Sequence, residues 1–314
     1  MEIPQINHIR EAHERIKPFV HRTPVLTSSY LNTLLGCEIF FKCENFQKVG
    51  AFKFRGATNA LLSATAEELR NGVATHSSGN HAQALALAAK MLGTKATIIM
   101  PNNSPSVKKN AVAGYGADII LCEPTLESRE STLREFVNQS GALFVHPYDN
   151  FNIICGQGTA ALELIDEVGT LDAVIAPVGG GGLLSGTSIA VKSLMPKAKV
   201  YGAEPSGADD AARSMREGAR VTQIVPNTVA DGLRTTLSEL TFSIIRQNVE
   251  DIITIDDDKI ISSMRLIWER MKIIVEPSSA TALAAVIAEK DPFAGSRIGI
   301  ILSGGNVDLD NLPW

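Results

Sequence analysis

The chain has 314 residues, of which 45% are hydrophobic and 20% charged, and its formal net charge at pH 7 is −5. This composition is typical of a globular protein with one large domain or two. The acidic balance and the lack of a basic run give no indication of nucleic acid or an anionic membrane as a partner. No run of about 18 apolar residues occurs, so we predict no membrane span.

The N-terminal segment MEIPQINHIREAHERIKPF carries charges throughout. It has no apolar core, so we expect no signal peptide. The four cysteines are scattered without a CxxC pair, and they are Cys37, Cys43, Cys122 and Cys155. This spacing favours reduced thiols over zinc ligands or disulfides, so we predict a cytoplasmic protein.

Short apolar runs alternate along the chain with longer helical patterns. In chain order, the predicted strands are CEIFFKCE, GVATHS, KATIIMP, ADIILCE, ALFVHP, LDAVIAPV, KVYGAEP and RIGIILSGG. The predicted helices include NHAQALALAAKMLG, ESTLREFVNQSG, TAALELIDEVG and SATALAAVIAEK. This alternation predicts an α/β fold of two doubly wound domains with mostly parallel sheets. We place a small domain at 72–149, inserted in a large domain made of 1–71 and 150–314.

The segment NFQKVGAFKFRGA (45–57) puts Lys48, Lys53 and Arg55 among apolar residues. A lysine that is removed from water has a lowered pKa and can act as an amine nucleophile at neutral pH. Alternatively, a helical lysine extends its ammonium group to solvent. We expect Lys48 and Arg55 to face solvent, and the small residues Gly56 and Ala57 to allow close helix packing.

The segment THSSGNHAQALALAAK (75–90) predicts a strand, a polar turn and a helix. The turn contains Ser77, Ser78, Gly79, Asn80 and His81. Hydroxyl groups at a helix N-terminus can bind an anion, although a single serine there can be a plain N-cap. For His76 and His81, which flank the serines, we favour hydrogen bonding over metal binding.

The segment LDAVIAPVGGGGLLSGTSIAVKSLM (171–195) predicts a strand, a glycine loop and a helix. Its four consecutive glycines bring backbone N–H groups to a helix N-terminus, which is a geometry that binds phosphate. The GxGxxG and Walker patterns are both absent. Glu204 follows about 20 residues later, where a ribose-binding acid would lie, so an NAD-linked dehydrogenase stays an alternative. A phosphate loop together with a reactive lysine favours pyridoxal phosphate.

Eight motifs together resemble one known family. They are FKFRGA, SSGNHAQALA, GQGTAALEL, PVGGGGLLSG, GAEPSGADDA, VADGL, EPSSA and SGGNVD. They are similar, in the same order and over essentially the whole chain, to those of the fold-type II pyridoxal-phosphate enzymes. The nearest branch is that of serine racemase and the serine/threonine dehydratases. The resemblance implies a fold like that of the tryptophan synthase β subunit.

The resemblance implies which residues hold the cofactor. Lys53 would carry pyridoxal phosphate as a Schiff base, and Phe52 would flank the cofactor ring. Asn80 would hydrogen-bond the ring hydroxyl, and Ser303 would face the ring nitrogen. The residues that would bind the phosphate are Gly179, Gly180, Gly181 and Gly182.

The resemblance also implies how substrate would bind and react. Lys53 would remove the α-proton from one face, and Ser78 would be the base on the opposite face. The loop 77–81 would take the α-carboxylate of the substrate. Arg129 matches an arginine near the substrate site of serine racemases and could pair with a second carboxylate. Alternatively, Arg129 pairs on the surface with nearby glutamates.

A divalent-cation site is a further implication of the resemblance. Its ligands would be Glu204, the carbonyl of Ala208 and Asp210. Carboxylates and a carbonyl are hard oxygen ligands that suit Mg²⁺, Mn²⁺ or Ca²⁺. The alternative is a solvated acidic loop.

These observations predict a pyridoxal-phosphate-dependent ammonia-lyase (dehydratase), a racemase, or both, acting on small β-hydroxy amino acids such as serine. A threo-3-hydroxyaspartate dehydratase is the first alternative. An NAD-linked dehydrogenase and a non-enzymatic cofactor- or amino-acid-binding protein are more remote. The resemblance further implies a homodimer and raises a nucleotide such as ATP as an effector.

Overall fold

Apolar and β-branched runs form the strands of the protein. The computed structural model describes residues 2–314. The strands within that range are β1 (Val25–Leu26), β2 (Glu38–Cys43), β3 (Val73–His76), β4 (Ala96–Pro101), β5 (Asp118–Cys122), β6 (Leu143–Phe144), β7 (Ala173–Pro177), β8 (Lys199–Pro205), β9 (Asp251–Ile255) and β10 (Arg297–Leu302).

Side-chain caps begin many of the helices, and glycines end several. The hydroxyl of Ser28, for example, accepts the backbone N–H of Leu31 at the start of a helix, and Gly36 ends that helix in the left-handed region at φ 66°. The helices are α1 (Ile6–Ile16), α2 (Ser29–Leu35), α3 (Lys53–Ser63), α4 (Ala66–Leu69), α5 (Asn80–Met91), α6 (Ser106–Gly114), α7 (Leu126–Ser140), α8 (Phe151–Val168), α9 (Gly182–Leu194), α10 (Asp210–Glu217), α11 (Glu239–Asn248), α12 (Asp257–Met271) and α13 (Pro277–Ala288).

The strands form two sheets. The six-stranded sheet has the order β1-β2-β10-β7-β8-β9 and is parallel except for β1, which runs antiparallel to β2. The four-stranded sheet has the order β5-β4-β3-β6 and is entirely parallel. The predicted α/β class with mostly parallel sheets is therefore confirmed. Each of the eight predicted strands is present, whereas β1 and β9 were not predicted.

The four-stranded sheet lies wholly within the segment 72–149, since its strands run from Val73 to Phe144. Both flanking parts of the chain contribute strands to the six-stranded sheet. The division of the chain into a large and a small domain stays a prediction.

Glycines allow α3, α8 and α9 to pack with their backbones in contact. A Cβ atom built on Gly156 would lie 2.6 Å from the Cα of Gly56. One built on Gly186 would lie 2.5 Å from the carbonyl oxygen of Ile154. The close packing predicted for Gly56 is therefore present, and it holds the N-terminal ends of α3 and α9 in a fixed relation.

A buried cluster of charges joins β2, α3 and α8. Lys42, Glu44 and Arg55 are completely inaccessible to solvent, and Glu163 is 1% exposed. Arg55 Nε donates to Glu44 Oε2 at 2.7 Å, and Arg55 Nη2 donates to Glu163 Oε2 at 2.8 Å. Lys42 Nζ donates to the same Glu163 oxygen at 2.7 Å. The expectation that Arg55 faces solvent is therefore wrong, because two buried carboxylates neutralise this guanidinium inside the protein.

Lys48 is half-buried, with its ammonium group 5.7 Å from the centre of the Phe54 ring. All four cysteines are buried and none is in a disulfide. Among residues 2–314, no helix has the length and apolar character needed to cross a membrane.

Candidate active site

A cavity of about 1080 Å³ opens at the carboxyl ends of strands from both sheets. Residues that follow β3, β7 and β10 form its wall, together with the N-terminal ends of α3, α5 and α9. In parallel α/β sheets this edge is the usual place for a ligand. Every residue predicted to bind cofactor or substrate lines this cavity, namely Phe52, Lys53, Ser77, Ser78, Gly79, Asn80, His81, Arg129, Gly179, Gly180, Gly181, Gly182 and Ser303.

Lys53 begins α3 and its side chain is half-buried in the cavity wall. Its Nζ donates to the carbonyl oxygen of Pro147 at 2.9 Å and lies 5.2 Å from the centre of the Phe52 ring. Burial lowers the pKa of Lys53 to about 8, although Glu276 partly opposes this effect. The amine is therefore neutral in a useful fraction of molecules near neutral pH, as a nucleophile requires.

The glycine loop connects β7 to α9, and Gly181 adopts a left-handed conformation at φ 86° as the N-cap of α9. The backbone N–H groups of Gly179, Gly180 and Gly181 donate to no acceptor within residues 2–314. They are available to an anion at the helix N-terminus. A Cβ atom on Gly180 would lie only 2.3 Å from the ring of Tyr148, so the loop needs glycine there for packing as well.

The serine loop connects β3 to α5. Ser77 Oγ accepts the backbone N–H of Gly79 at 3.3 Å, and the backbone N–H of Ser77 donates to the carbonyl of Ile99 at 3.2 Å. The hydroxyl of Ser78 is half-buried and makes no hydrogen bond within the described chain. It is therefore free to act on a molecule in the cavity.

Two further side chains of this region are held by neighbours. Asn80 Nδ2 donates to Glu276 Oε1 at 2.9 Å, and Asn80 Oδ1 accepts a hydrogen bond from Asn306 Nδ2 at 2.8 Å. The buried ring of His81 contacts the carbonyl of Val145 through Nε2 at 3.2 Å. Burial lowers the pKa of His81 well below 6.5, so this ring is neutral at pH 7.

The cavity includes groups for which the sequence supports no firm role. Glu276 is buried beside Asn80, and burial, followed by the charge of Asp231, raises its pKa to about 7. Lys108 and Asp231 form an ion pair of 2.5 Å in the cavity wall. Glu276 and Asp231 belong to the motifs EPSSA and VADGL, but no local pattern predicts the pairing of Asp231 with Lys108.

Arg129 lies on α7 and is half-buried. Its Nε makes only a long contact of 3.4 Å to the carbonyl oxygen of Thr125. No carboxylate oxygen within residues 2–314 lies within 4.0 Å of its guanidinium group. The surface pairing with nearby glutamates is therefore absent, and the cation is available to the cavity.

The proposed cation ligands lie outside this cavity. Glu204 and Asp210 are completely buried, so the alternative of a solvated acidic loop is wrong. Glu204 accepts the backbone N–H groups of Ala211 and Ala212, each at 2.9 Å, and Asp210 Oδ2 accepts that of Leu237 at 3.1 Å. Burial is the main cause that raises the pKa of Glu204 to about 9 and that of Asp210 to about 7.

Asp210 Oδ1 is buried without a hydrogen-bond partner in the described chain. Ala208, the third predicted ligand, is also buried. No group of three His, Cys, Asp or Glu side chains within residues 2–314 is arranged to hold a metal. The side-chain ligands of a cation here would thus be the two carboxylates. Because Glu204 does not line the cavity with the glycine loop, its role as a ribose-binding acid has no support.

A family model described as "Pyridoxal-phosphate dependent enzyme" matches residues 16–304. The chain is 53% identical to a serine racemase of Dictyostelium discoideum, over 98% of this chain and 96% of that protein. It is 49% identical to a beta-hydroxyaspartate dehydratase of Paracoccus denitrificans, over the full length of both. A solved structure of maize serine racemase superposes with a TM-score of 0.96 at 46% identity, covering 98% of this chain and 95% of that one.

Proposed function

The chain belongs to the family of pyridoxal-phosphate dependent enzymes, and from this premise we propose that it is an ammonia-lyase and racemase of small β-hydroxy amino acids. Elimination converts such an amino acid into a 2-oxo acid and ammonia, and racemisation inverts its α-carbon. The observation that carries the proposal is the half-buried Lys53 amine, in one cavity with the free amides of the glycine loop and the free hydroxyl of Ser78.

The donor set of the cavity fits pyridoxal phosphate. Lys53 offers an amine with a lowered pKa for covalent attachment of the cofactor, and the amides of Gly179–Gly182 offer donors for its phosphate. Phe52 provides an apolar surface, Asn80 an amide, and Ser303, at the end of β10, a hydroxyl group in the cavity wall. Bound pyridoxal phosphate would supply an electron sink that acidifies the α-C–H bond of an amino acid.

Two groups of the chain would move the α-proton. Lys53 Nζ would take it from one face of the substrate and Ser78 Oγ would exchange a proton on the other face. The loop 77–81, at the N-terminus of α5, would hold the α-carboxylate through its hydroxyl and amide groups. The unengaged hydroxyl of Ser78 supports this assignment.

The preferred substrate has two candidates. Serine carries the β-hydroxyl group that elimination requires, and a serine racemase is among the relatives. Threo-3-hydroxyaspartate carries a second carboxylate, and a relative that covers the full chain is a beta-hydroxyaspartate dehydratase. The unpaired guanidinium of Arg129 in the cavity wall supports the dicarboxylate. An NAD-linked function has no comparable support.

We also propose that a divalent cation binds Glu204, Asp210 and the carbonyl of Ala208. Two buried carboxylates with raised pKa values, one with an unpartnered oxygen, support this proposal. A homodimeric assembly, a nucleotide effector such as ATP and a cytoplasmic location stay predictions. Size-exclusion chromatography and nucleotide titration of the purified protein would test the first two.

A product screen tests the proposed function. Purified protein loaded with pyridoxal phosphate is incubated separately with L-serine, D-serine, L-threonine and the stereoisomers of 3-hydroxyaspartate, with and without Mg²⁺. We expect 2-oxo acid from at least one β-hydroxy amino acid and inversion of serine. A protein that binds no pyridoxal phosphate, or binds it without either reaction, contradicts the proposal.

Ser78→Ala separates the two reactions. We expect this variant to lose racemisation of serine by more than about a hundredfold, since one face then has no base. Elimination from the L-substrate should keep part of its rate, because Lys53 serves that face alone. Chiral chromatography and a 2-oxo acid assay measure the two rates. An equal loss of both, with an unchanged melting temperature, would show that Ser78 is not a dedicated second base.

A further inference from the structure

His76 ends β3, immediately before the serine loop, and its ring lies in the wall of the large cavity. The ring is half-buried, and neither of its nitrogens makes a hydrogen bond within residues 2–314. A half-buried imidazole without a protein partner has donor and acceptor capacity left for a ligand. Nothing proposed above uses this capacity.

Arg129 lines the same cavity as His76, and its charge contributes to lowering the pKa of His76. Its guanidinium also faces the cavity without a carboxylate partner. These two neighbouring groups, neither with a carboxylate partner, repel each other when both carry positive charge. An anion between them would satisfy both.

His146 is the neighbour of His76, with ring centres 6.4 Å apart. Unlike His76, it has hydrogen-bond partners that fix its tautomer. His146 Nδ1 accepts the backbone N–H groups of Tyr148 and Asp149, at 3.3 and 2.9 Å. The proton of the neutral ring is therefore on Nε2. Burial also lowers the pKa of His146 to about 4. His146 thus stays neutral, whereas no backbone donor restrains His76.

We propose that His76 and Arg129 together bind the side-chain carboxylate of a dicarboxylic amino acid, and that His76 takes up a proton from solvent when this carboxylate binds. This inference rests on the proposed function and deepens it, because it names the groups that select 3-hydroxyaspartate over serine. The α-carboxylate occupies the serine loop, and the second carboxylate lies on the side of the cavity formed by β3 and α7.

The charges around His76 determine the sign of the effect. The groups that face it are Arg129, Glu130 and Arg134 of α7, together with His146 and the neutral His81 of α5. In the free protein, burial first and then Arg129 lower the pKa of His76, while Glu130 opposes them. A bound carboxylate adds a negative charge and raises that pKa. Affinity for a dicarboxylate therefore falls as the pH rises through the pKa of the complex, whereas affinity for serine is unaffected by this group.

Titration calorimetry directly measures the proton uptake that accompanies binding. The holoenzyme is titrated at pH 7 with succinate, and with propionate as the matched monocarboxylate, in two buffers of different ionisation enthalpy. We expect a net uptake of protons, up to one per succinate bound, and none for propionate. His76→Asn keeps a hydrogen-bonding group but does not titrate, so it should abolish the uptake. Uptake that is absent in the wild type, or unchanged in His76→Asn, overturns the proposal, as does a failure of succinate to bind.

Steady-state kinetics test whether His76 selects threo-3-hydroxyaspartate over L-serine. For His76→Asn at pH 7 we expect KM for threo-3-hydroxyaspartate to rise about tenfold, while KM for L-serine stays within about twofold and kcat changes little for either. The wild-type KM for hydroxyaspartate should rise between pH 6 and pH 8, and that of the variant should be flat. Lys109→Gln is the control, since Lys109 is a basic residue of α6 that lines neither the large cavity nor the pocket beside His76.

The outcomes distinguish a failure of the proposed function from a failure of the inference about His76. If neither substrate is consumed by the wild-type holoenzyme, the proposed function fails. If L-serine is consumed but His76→Asn raises both KM values equally, or Lys109→Gln has the same selective effect, only the inference about His76 fails.

Discussion

Lys53 and Arg55 are two residues apart in the first turn of α3, but the protein treats their charges in opposite ways. Arg55 is completely buried, and the carboxylates of Glu44 and Glu163 bind it at 2.7 to 2.9 Å. Lys53 opens into the cavity, and its amine has one neutral partner, the carbonyl of Pro147. The same helix turn therefore holds a compensated cation and an uncompensated amine.

The difference shows how the chain separates stability from reactivity. Burial acts to lower the pKa of Arg55, but the charges and hydrogen bonds of Glu44 and Glu163 together raise it above its usual value, so this cation keeps its proton. Burial without a carboxylate in contact lowers the pKa of Lys53 to about 8. A buried ion pair is costly to break, whereas an unpaired amine is costly to charge. Arg55 can thus anchor α3 while Lys53 stays chemically available.

Removing the amine should give the largest effect. Lys53→Ala is expected to lower turnover of the best substrate about ten-thousandfold, because the other lysine of the cavity wall, Lys108, is paired with Asp231 and cannot replace it. The free energy of unfolding of the cofactor-free protein should change by less than about 1 kcal/mol, since Lys53 has no ionic partner. Turnover assays and urea unfolding measure the two quantities.

Lys48→Ala is the matched control for this variant. Lys48 is a half-buried cation of the same segment, but it contacts the Phe54 ring and does not line the cavity. Its loss should leave turnover within about threefold. Activity retained by Lys53→Ala would defeat the assignment of the reactive amine.

Removing the guanidinium of Arg55 should mainly lower the stability of the protein, in contrast to Lys53→Ala, which should mainly lower turnover. Arg55→Met leaves Glu44 and Glu163 buried with less positive charge, and we expect it to cost about 3–5 kcal/mol of unfolding free energy. Arg55→Lys keeps one charge but cannot bridge both carboxylates, so its cost should be smaller. Urea unfolding of the cofactor-free protein gives both values.

The control for Arg55 is an exposed ion pair. Lys199 lies 3.7 Å from Glu250 with both side chains about half exposed. Lys199→Met should cost at most about 1 kcal/mol. If Arg55→Met is no more destabilising than Lys199→Met, the buried cluster does not anchor α3.

These two residues also show how far the sequence could predict the protein. The proposed role of Lys53 was predicted from contiguous motifs, since the FKFRGA segment, the serine loop and the glycine loop are each local patterns, and all three line one cavity. The burial of Arg55 depends on Glu163, which is 108 residues away and has no local signal of the pairing. The expectation of a solvent-facing Arg55 was therefore wrong for a physical reason.

The same distinction holds for the fold and the rest of the site. Strands with continuous apolar runs were predicted, whereas β9, which pairs only with β8 at the sheet edge, was missed. Arg129 was predicted near the substrate site from the family resemblance. The proximity of His76 to Arg129, and the ion pair of Lys108 with Asp231, arise only when the chain folds.

Glu204 and Asp210 are buried carboxyl groups that form no ion pair within the described residues. For these two groups we expect the smallest effect on stability. Their folded pKa values, about 9 and about 7, lie above those of an unfolded chain, which are about 4. The folded state therefore binds protons more tightly, so the stability that this pair contributes is fully present below about pH 4 and is lost as the pH rises toward 9. A divalent cation would replace the lost protons.

We therefore expect Mg²⁺, Mn²⁺ or Ca²⁺ to raise the melting temperature by about 2–4 °C at pH 8, and by less at pH 6, where protons still occupy the site. Thermal unfolding of the cofactor-free protein with cation or with EDTA measures this shift. Asp210→Asn should abolish it. Asp209→Asn is the matched control, because Asp209 is the adjacent residue but pairs with Arg213 at 2.9 Å. A shift that survives in Asp210→Asn, or is lost equally in Asp209→Asn, would place the cation elsewhere.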